Sequence, residues 1–436
     1  MRFVHPSHGA ASVRLAYCTN LHAGESLPEI RQGLEDFAVA VKRALGVQGT
    51  FGVGLYLPAK VALHLASEHG RHDLDGFASW LEQQGLEAFT FNAFPYGDFQ
   101  RDGLKAAVYR PTWETPERAA YTAAVAKVAP LLMRRRSDSA GNIAGNPSGH
   151  ISISTHPGAH VSQVDDGEGH EKYLLGLAGA VVDLVRSQSV NAPNIVLSLE
   201  AEPWAIAGNS IALAGHLQQV SSLAQNILCE EHACDPESAR RSVAQHLGTC
   251  LDACHSAVEF ETASDAVDLA RKVGCMGKLQ YSNALSLSRP SESPAAVAAL
   301  LALDEPRFLH QVNGDALAGP QNAADLIDLQ QALADQSSRD DWLACEEWRC
   351  HFHVPVNLPE FEGLGTTQDH ADAILLELLA DPVAWKTPEL HVEIETYTWN
   401  ILPGSRPAGI VSGLVAEYRH VLDLLAKQGW ARCEDE

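Results

Sequence analysis

Leu251-Asp252-Ala-Cys-His255 places a carboxylate at the end of an apolar run and an imidazole three residues on. With the run as a strand and the next residues as a helical turn, both side chains face one point, which suits a cation or a substrate oxygen. Five more segments end in a polar or acidic group: Ile151-Ser-Ile-Ser-Thr-His156, Ile195-Val-Leu-Ser-Leu-Glu200-Ala-Glu202, Lys278-Leu-Gln280, Cys350-His351-Phe-His353 and His391-Val-Glu393-Ile-Glu395-Thr396. Glu200, Asp252 and Glu395 offer anionic oxygen, Gln280 an amide oxygen, and His156, His255, His351 and His353 ring nitrogen. Each alone fits an ordinary polar place at a strand end. Together, buried carboxylates need a counter-ion or a shared proton, so the set points to a bound metal.

Glu202 and Glu393 stand two residues from Glu200 and Glu395 and so share their sides of the strands, Glu393 the deeper. They are expected to bind substrate or support the ligands. Cys18-Thr-Asn20-Leu-His22 and Phe91-Asn92-Ala-Phe-Pro-Tyr96-Gly97 set amides beside aromatic faces, which suits a hydroxylated ligand, and Trp399 extends that wall. Ordinary loop packing around Pro95 and Gly97 is the plain alternative.

Residues far apart in sequence converge when each ends a parallel strand of one barrel. The pattern predicts strands near 13–19, 51–57, 88–93, 151–156, 195–200, 250–252, 278–280 and 390–395, with helices over 28–44, 59–69, 73–84, 115–133, 171–187, 208–228, 235–246, 262–273, 368–380 and 406–428. Alternation of this kind implies an α/β fold, a (β/α)8 TIM barrel in one domain over 1–436. The stretch 291–345 reads as a mostly helical, solvent-facing insertion before the last strand, leading to a loop or short strand at 350–356 that reaches over the mouth. The Gly- and Asn-rich residues 138–149 read as a loop, and Arg134-Arg135-Arg136 as a basic run complementing a helix end.

The 436 residues are 46% hydrophobic and 20% charged, enough to bury a large core. Lys and Arg total 31 against 55 Asp and Glu, a formal charge of −24, which repels phosphate backbones and anionic membranes and so argues against a nucleic-acid partner. No apolar stretch reaches spanning length and the start lacks a secretion-signal core, so a cytoplasmic protein without direct membrane insertion is expected. Nine scattered cysteines suit reduced thiols; Cys229-Glu-Glu-His232-Ala-Cys234 is a weak candidate clip for a metal. The phosphate-cradling loops of nucleotide enzymes and the Gly-x-Ser-x-Gly elbow of serine hydrolases are missing.

Ser154-Thr-His156-Pro-Gly158, Leu199-Glu200, Leu251-Asp252-Ala-Cys-His255 and Ile394-Glu395-Thr396 resemble, in order, the xylose-isomerase-like TIM-barrel superfamily, which includes sugar isomerases and the endonuclease IV type of enzyme. Tyr17-Cys-Thr-Asn-Leu-His22, Phe91-Asn-Ala-Phe-Pro-Tyr-Gly97, Arg307-Phe-Leu-His-Gln-Val312, His351-Phe-His-Val-Pro355 and Val392-Glu-Ile-Glu-Thr-Tyr-Thr-Trp399 are similar to the EboE-like metabolite traffic proteins of ebo gene clusters. The resemblance implies metal ligands at Glu200, Asp252 and Glu395, with Gln280 where a His is usual. It also implies a cyclitol or sugar-like intermediate as substrate, with or without a phosphate, and pathway enzymes as partners.

The leading expectation is a sugar or cyclitol isomerase or epimerase that uses a divalent metal (manganese, cobalt or zinc) and an enediolate. Glu200 and Glu395 would move the proton and His255 would orient the substrate oxygen. A non-catalytic metabolite carrier and a metal phosphoesterase stand as alternatives.

Overall fold

The computed structural model describes residues 1–22, 24–133, 149–164, 168–189, 192–402 and 407–433. The arginine run 134–136 and nearly all of the loop 138–149 lie outside these.

Eight strands form the barrel: β1 (Ser12–Cys18), β2 (Phe51–Tyr56), β3 (Leu86–Asn92), β4 (His150–Thr155), β5 (Asn194–Glu200), β6 (Leu247–Asp252), β7 (Cys275–Tyr281) and β8 (Glu389–Ile394). Neighbours in this order pair in parallel, and β8 returns to β1 with Leu390 beside Val13 and Ile394 beside Tyr17, so the cylinder closes. The fold is an α/β TIM barrel. The strand residues are buried on both faces, all but Asn194 fully, because helices cover the outside and side chains fill the inside. Continuous apolar runs are the expected signature of such strands. Short strands at Arg2–Val4 and Ala431–Arg432 add antiparallel to the β1 side.

Small residues make room where the interior is crowded. A Cβ on Gly54 of β2 would collide with the Glu393 carboxylate, and one on Gly52 would meet Leu15 O and the Phe89 ring. The register slips between Val53 and Gly54 and between Thr249 and Cys250. The second bulge lies just before Asp252, where a local kink re-aims the strand end. At the opposite, amino-terminal end the interior is closed by Arg14, which pairs with Glu87 and Glu389, and by His391 stacked on His150 at 4.0 Å.

The segment between β7 and β8 is more than a solvent-facing helical insertion. Leu285–Ser288, Val312–Gly314, Glu347–Cys350, Glu360–Phe361 and Leu364–Thr366 form a second, antiparallel five-stranded sheet. The helices Pro294–Leu301, Leu326–Ala334 and Gln336–Ala344 pack against it around Trp342 and Trp348, whose rings meet edge-on at 5.3 Å. Strands of two to four residues are too short to show a period in sequence, which hid this sheet. It delivers His351 and His353, directly after Glu347–Cys350, over the barrel mouth.

Candidate functional site

The carboxyl ends of β5, β6 and β8 bring Glu200, Asp252 and Glu395 together, with one oxygen of each within 4.8 Å of the others. Asp252 caps the helix Ala253–Val258: its Oδ1 accepts from His255 N at 2.9 Å and from Ser282 Oγ at 2.7 Å, while Oδ2, buried, has no partner. Asp252 thereby sets its own carboxylate and the start of the turn that carries His255. Glu200 Oε2 is likewise buried and unpartnered. Glu395 is tethered on both oxygens, Oε1 by Asn20 Nδ2 at 3.0 Å and Cys18 Sγ at 3.4 Å, and Oε2 by Gln280 Nε2. Gln280 turns its amide nitrogen to Glu395 and its oxygen to the Cys250 thiol, so its oxygen faces away from the acids.

Beneath the acids lies an ion pair whose cation sequence reasoning left without a role. Lys278, two residues before Gln280 and on the same side of β7, places Nζ 2.5 Å from Glu393 Oε2, with both side chains sealed from solvent. Burial opposes the ammonium charge, but Glu393 together with Cys250 and Cys18 outweighs it, and the Lys278 pKa is raised. Glu393, expected to bind substrate or support the ligands, is held by this lysine and does not line the cavity. Burial, with Glu395 and Asp252 beside it, pushes Glu200 well above the carboxylate range, although Lys278 opposes the shift.

Over the acids sit three imidazoles. His351 Nε2 lies 3.1 Å from His255 Nε2 and 3.1 Å from His353 Nε2. The outer nitrogens determine the tautomers. His255 Nδ1 faces the Ala201 carbonyl at 2.8 Å and His353 Nδ1 the Glu395 carbonyl at 2.9 Å, and a carbonyl only accepts. His351 Nδ1 faces Gln311 Oε1 at 2.6 Å, an orientation set by Gln311 Nε2 donating to the Pro203 carbonyl at 3.0 Å. Each ring therefore carries its hydrogen on Nδ1 and turns a lone pair inward. Burial lowers His255 to about 3 and His351 well below its ordinary value, so neither ring supplies a proton to the gap. The nearby hydroxyl is that of Tyr397, 3.2 Å from His351 Nε2.

Two imidazoles held by one cation at about 2.0–2.1 Å in tetrahedral geometry have their nitrogens about 3.4 Å apart, close to the spacing here. The backbone and amide acceptors behind the rings are the supports that metal-binding histidines use. The donor set therefore fits a divalent metal, with two orphaned carboxylate oxygens, three inward lone pairs and groups such as Glu202, His255 and His351 that converge within 4.8 Å.

The polar lining of the cavity is Asn20, Asn92, Lys105, Glu200, Glu202, His255, Gln280, Arg307, His351, His353, Glu395 and Tyr397. Glu202 accepts from Tyr109 Oη, and burial pushes its pKa up to about 8. Asn92 uses its oxygen to accept from Phe94 N at 2.9 Å. Besides Glu393, four expected residues stand away from the cavity. His156 is sealed among Phe94, Tyr109 and Trp113, with Nδ1 accepting from Gly158 N, outside the converging groups. His22 bonds Tyr17 at 2.7 Å and stacks on Phe37, Tyr96 packs on Tyr121, and Trp399 donates to Glu417 Oε2 at 3.0 Å. Tyr397, two residues earlier, faces the site in place of Trp399. Cys229, His232 and Cys234 form no converging group among the described residues, and all nine cysteines are free thiols. No helix among the described residues is long and apolar enough to cross a membrane.

No family model and no curated protein matches the chain. Among solved structures it is similar to the probable 3-DHS dehydratase AsbF, involved in petrobactin synthesis, from Bacillus anthracis. The identity is 13%, covering 94% of this chain and 99% of that one, with a TM-score of 0.44.

Proposed function

We propose that the chain is a metal-dependent isomerase or epimerase of a small polyhydroxylated ketone, sugar or cyclitol, moving a proton through an enediolate. The observation that carries this reading is the pairing of Glu200, whose Oε2 is orphaned, with a fully tethered acid, Glu395, beside the orphaned Asp252 oxygen. A divalent cation held by Glu200, Asp252, Glu395 and the histidines would polarise the substrate's carbonyl and neighbouring hydroxyl. As an ionised carboxylate beside the cation, Glu200 takes the proton beside the carbonyl. Glu395, from a strand three places away, returns a proton drawn from solvent, and His255 and Asn20 orient the substrate oxygens. Asn92 and Glu202 bind further hydroxyls at the rim. The motif order that resembles EboE-like proteins supports a place in a secondary-metabolite pathway, and nine free thiols support a reducing, cytoplasmic setting.

The test is proton exchange in deuterated water, followed by NMR, with metal-loaded protein and fructose, tagatose and 2-keto-myo-inositol as probes. Deuterium should enter beside the carbonyl of at least one probe and should not do so with Glu200→Gln, whose fold is checked by circular dichroism. Full exchange in that variant would sink the mechanism.

The imidazole cluster favours a second reading, a metal phosphoesterase on a small phosphate ester. Release of inorganic phosphate from sugar phosphates, without deuterium exchange, would select it.

A further inference from the structure

The cavity also has an apolar lining, from Phe94, Phe99, Leu104, Val108, Phe308 and Leu309, with Lys105 and Arg307 beside it. Phe99, Phe308 and Tyr397 form a closed triangle of rings, with centroids 4.9 Å, 5.0 Å and 4.9 Å apart and planes tilted by 46°, 71° and 63°. The three come from three separate parts of the chain: the loop after β3, the segment inserted between β7 and β8, and the turn after β8.

The triangle is held rigidly. Gly103 N and Lys105 N donate to the Pro306 and Arg307 carbonyls at 2.8 Å each, and Arg307 Nε meets Asp102 Oδ1 at 2.7 Å. Gln100 Nε2, next to Phe99, donates to Asn20 O at 2.7 Å, tying the loop to the residue that holds Glu395. Tyr397 joins the polar and apolar linings: its hydroxyl touches His351 Nε2 at 3.2 Å and its ring belongs to the triangle. The apolar wall therefore begins one ring's length from the chelating groups. The C–H face of a bare polyol covers only part of such a wall, whereas an apolar ring laid on it gains full burial and edge-to-face contacts.

We propose that the substrate carries, next to its chelating oxygens, an apolar, ring-sized substituent that lies against Phe99, Phe308 and Tyr397. This rests on the metal-site reading above and narrows its substrate class from a bare polyol to one bearing such a group.

Cobalt(II)-loaded protein, titrated by visible absorption with acetohydroxamate and benzohydroxamate, tests it, because the two probes share a chelating group and differ in the ring. Benzohydroxamate should bind at least about tenfold tighter, after division by the ratio the two show toward free cobalt. Leu104→Gln and Leu309→Gln, both at half-buried positions on the wall, should each remove most of that preference and leave acetohydroxamate affinity unchanged, which also reports an intact fold. Equal affinity for the two probes, with clear spectral changes from both, overturns the proposal and leaves the metal reading standing. If cobalt does not bind, or neither probe alters its spectrum, the metal reading fails and the proposal with it.

Discussion

Lys278 Nζ lies 2.5 Å from Glu393 Oε2 in the centre of the barrel, and neither side chain reaches solvent. Removing one partner strands the other charge in the interior, so Lys278→Met should lower stability by about 3–5 kcal/mol in urea unfolding. The double change Lys278→Met with Glu393→Leu should recover most of that loss, because the stranded carboxylate is gone. A double variant no more stable than the single one would show that the pair is not the unit described.

Metal content follows from the orphaned oxygen on Asp252. Protein purified without tag or chelator and reloaded with manganese, cobalt or zinc should hold stoichiometric metal by inductively coupled plasma mass spectrometry. Asp252→Ala should hold little. Equal content in both would remove Asp252 from the centre.

Gln311 reaches Glu202 at 3.5 Å and sets the tautomer of His351 from behind. Gln311→Ala should weaken zinc binding by about 10–100-fold, the usual effect of losing a support behind a metal ligand. Competition with a chromophoric chelator measures it. An unchanged affinity would mean that His351 needs no such support.

Glu417 gives stability a pH dependence away from the cavity. Burial pushes its pKa up to about 7, although Thr396 Oγ1, Trp399 Nε1 and Val356 N all donate to it. An acid whose folded value is raised binds its proton more tightly in the folded state, so its contribution is greatest below the unfolded value and is lost as pH rises from about 4.5 through 7. The melting temperature of the wild type should therefore fall more steeply over that window than that of Glu417→Gln. The variant is expected to melt lower overall, since its amide turns a donor toward Trp399. Parallel curves would clear Glu417 of the effect.

The barrel strands were legible because strands buried on both faces read as short unbroken apolar runs, and each ends where a helix signal starts. Glu200, Asp252 and Glu395 were legible for the same reason: the last inward position of a parallel strand points at the shared axis. Beyond the strand ends the signal weakens. After Glu395 the chain turns through Tyr397–Asn400, which directs Tyr397 inward and Trp399 toward Glu417, a reversal that two-residue alternation does not foresee. His156 follows β4 as Glu200 ends β5, yet the aromatic rings around it hold it outside the converging groups. Gln311 and Tyr109 carry no signal at all, since one precedes a three-residue strand and the other ends a short 3-10 helix, and the importance of each comes from what it touches.

The bond from Asn20 to Glu395 joins residues 375 apart in sequence across the pairing of β1 with β8. During synthesis the first half of this contact emerges early and waits for nearly the whole chain before its partner exists. Until β8 docks, Glu200 and Asp252 have no third acid, and His353 lacks the Glu395 carbonyl that orients its ring. The three-acid group is thus complete only on closure, and binding of a cation by Glu200, Asp252 and Glu395 during refolding should track the last strand rather than the bulk of secondary structure.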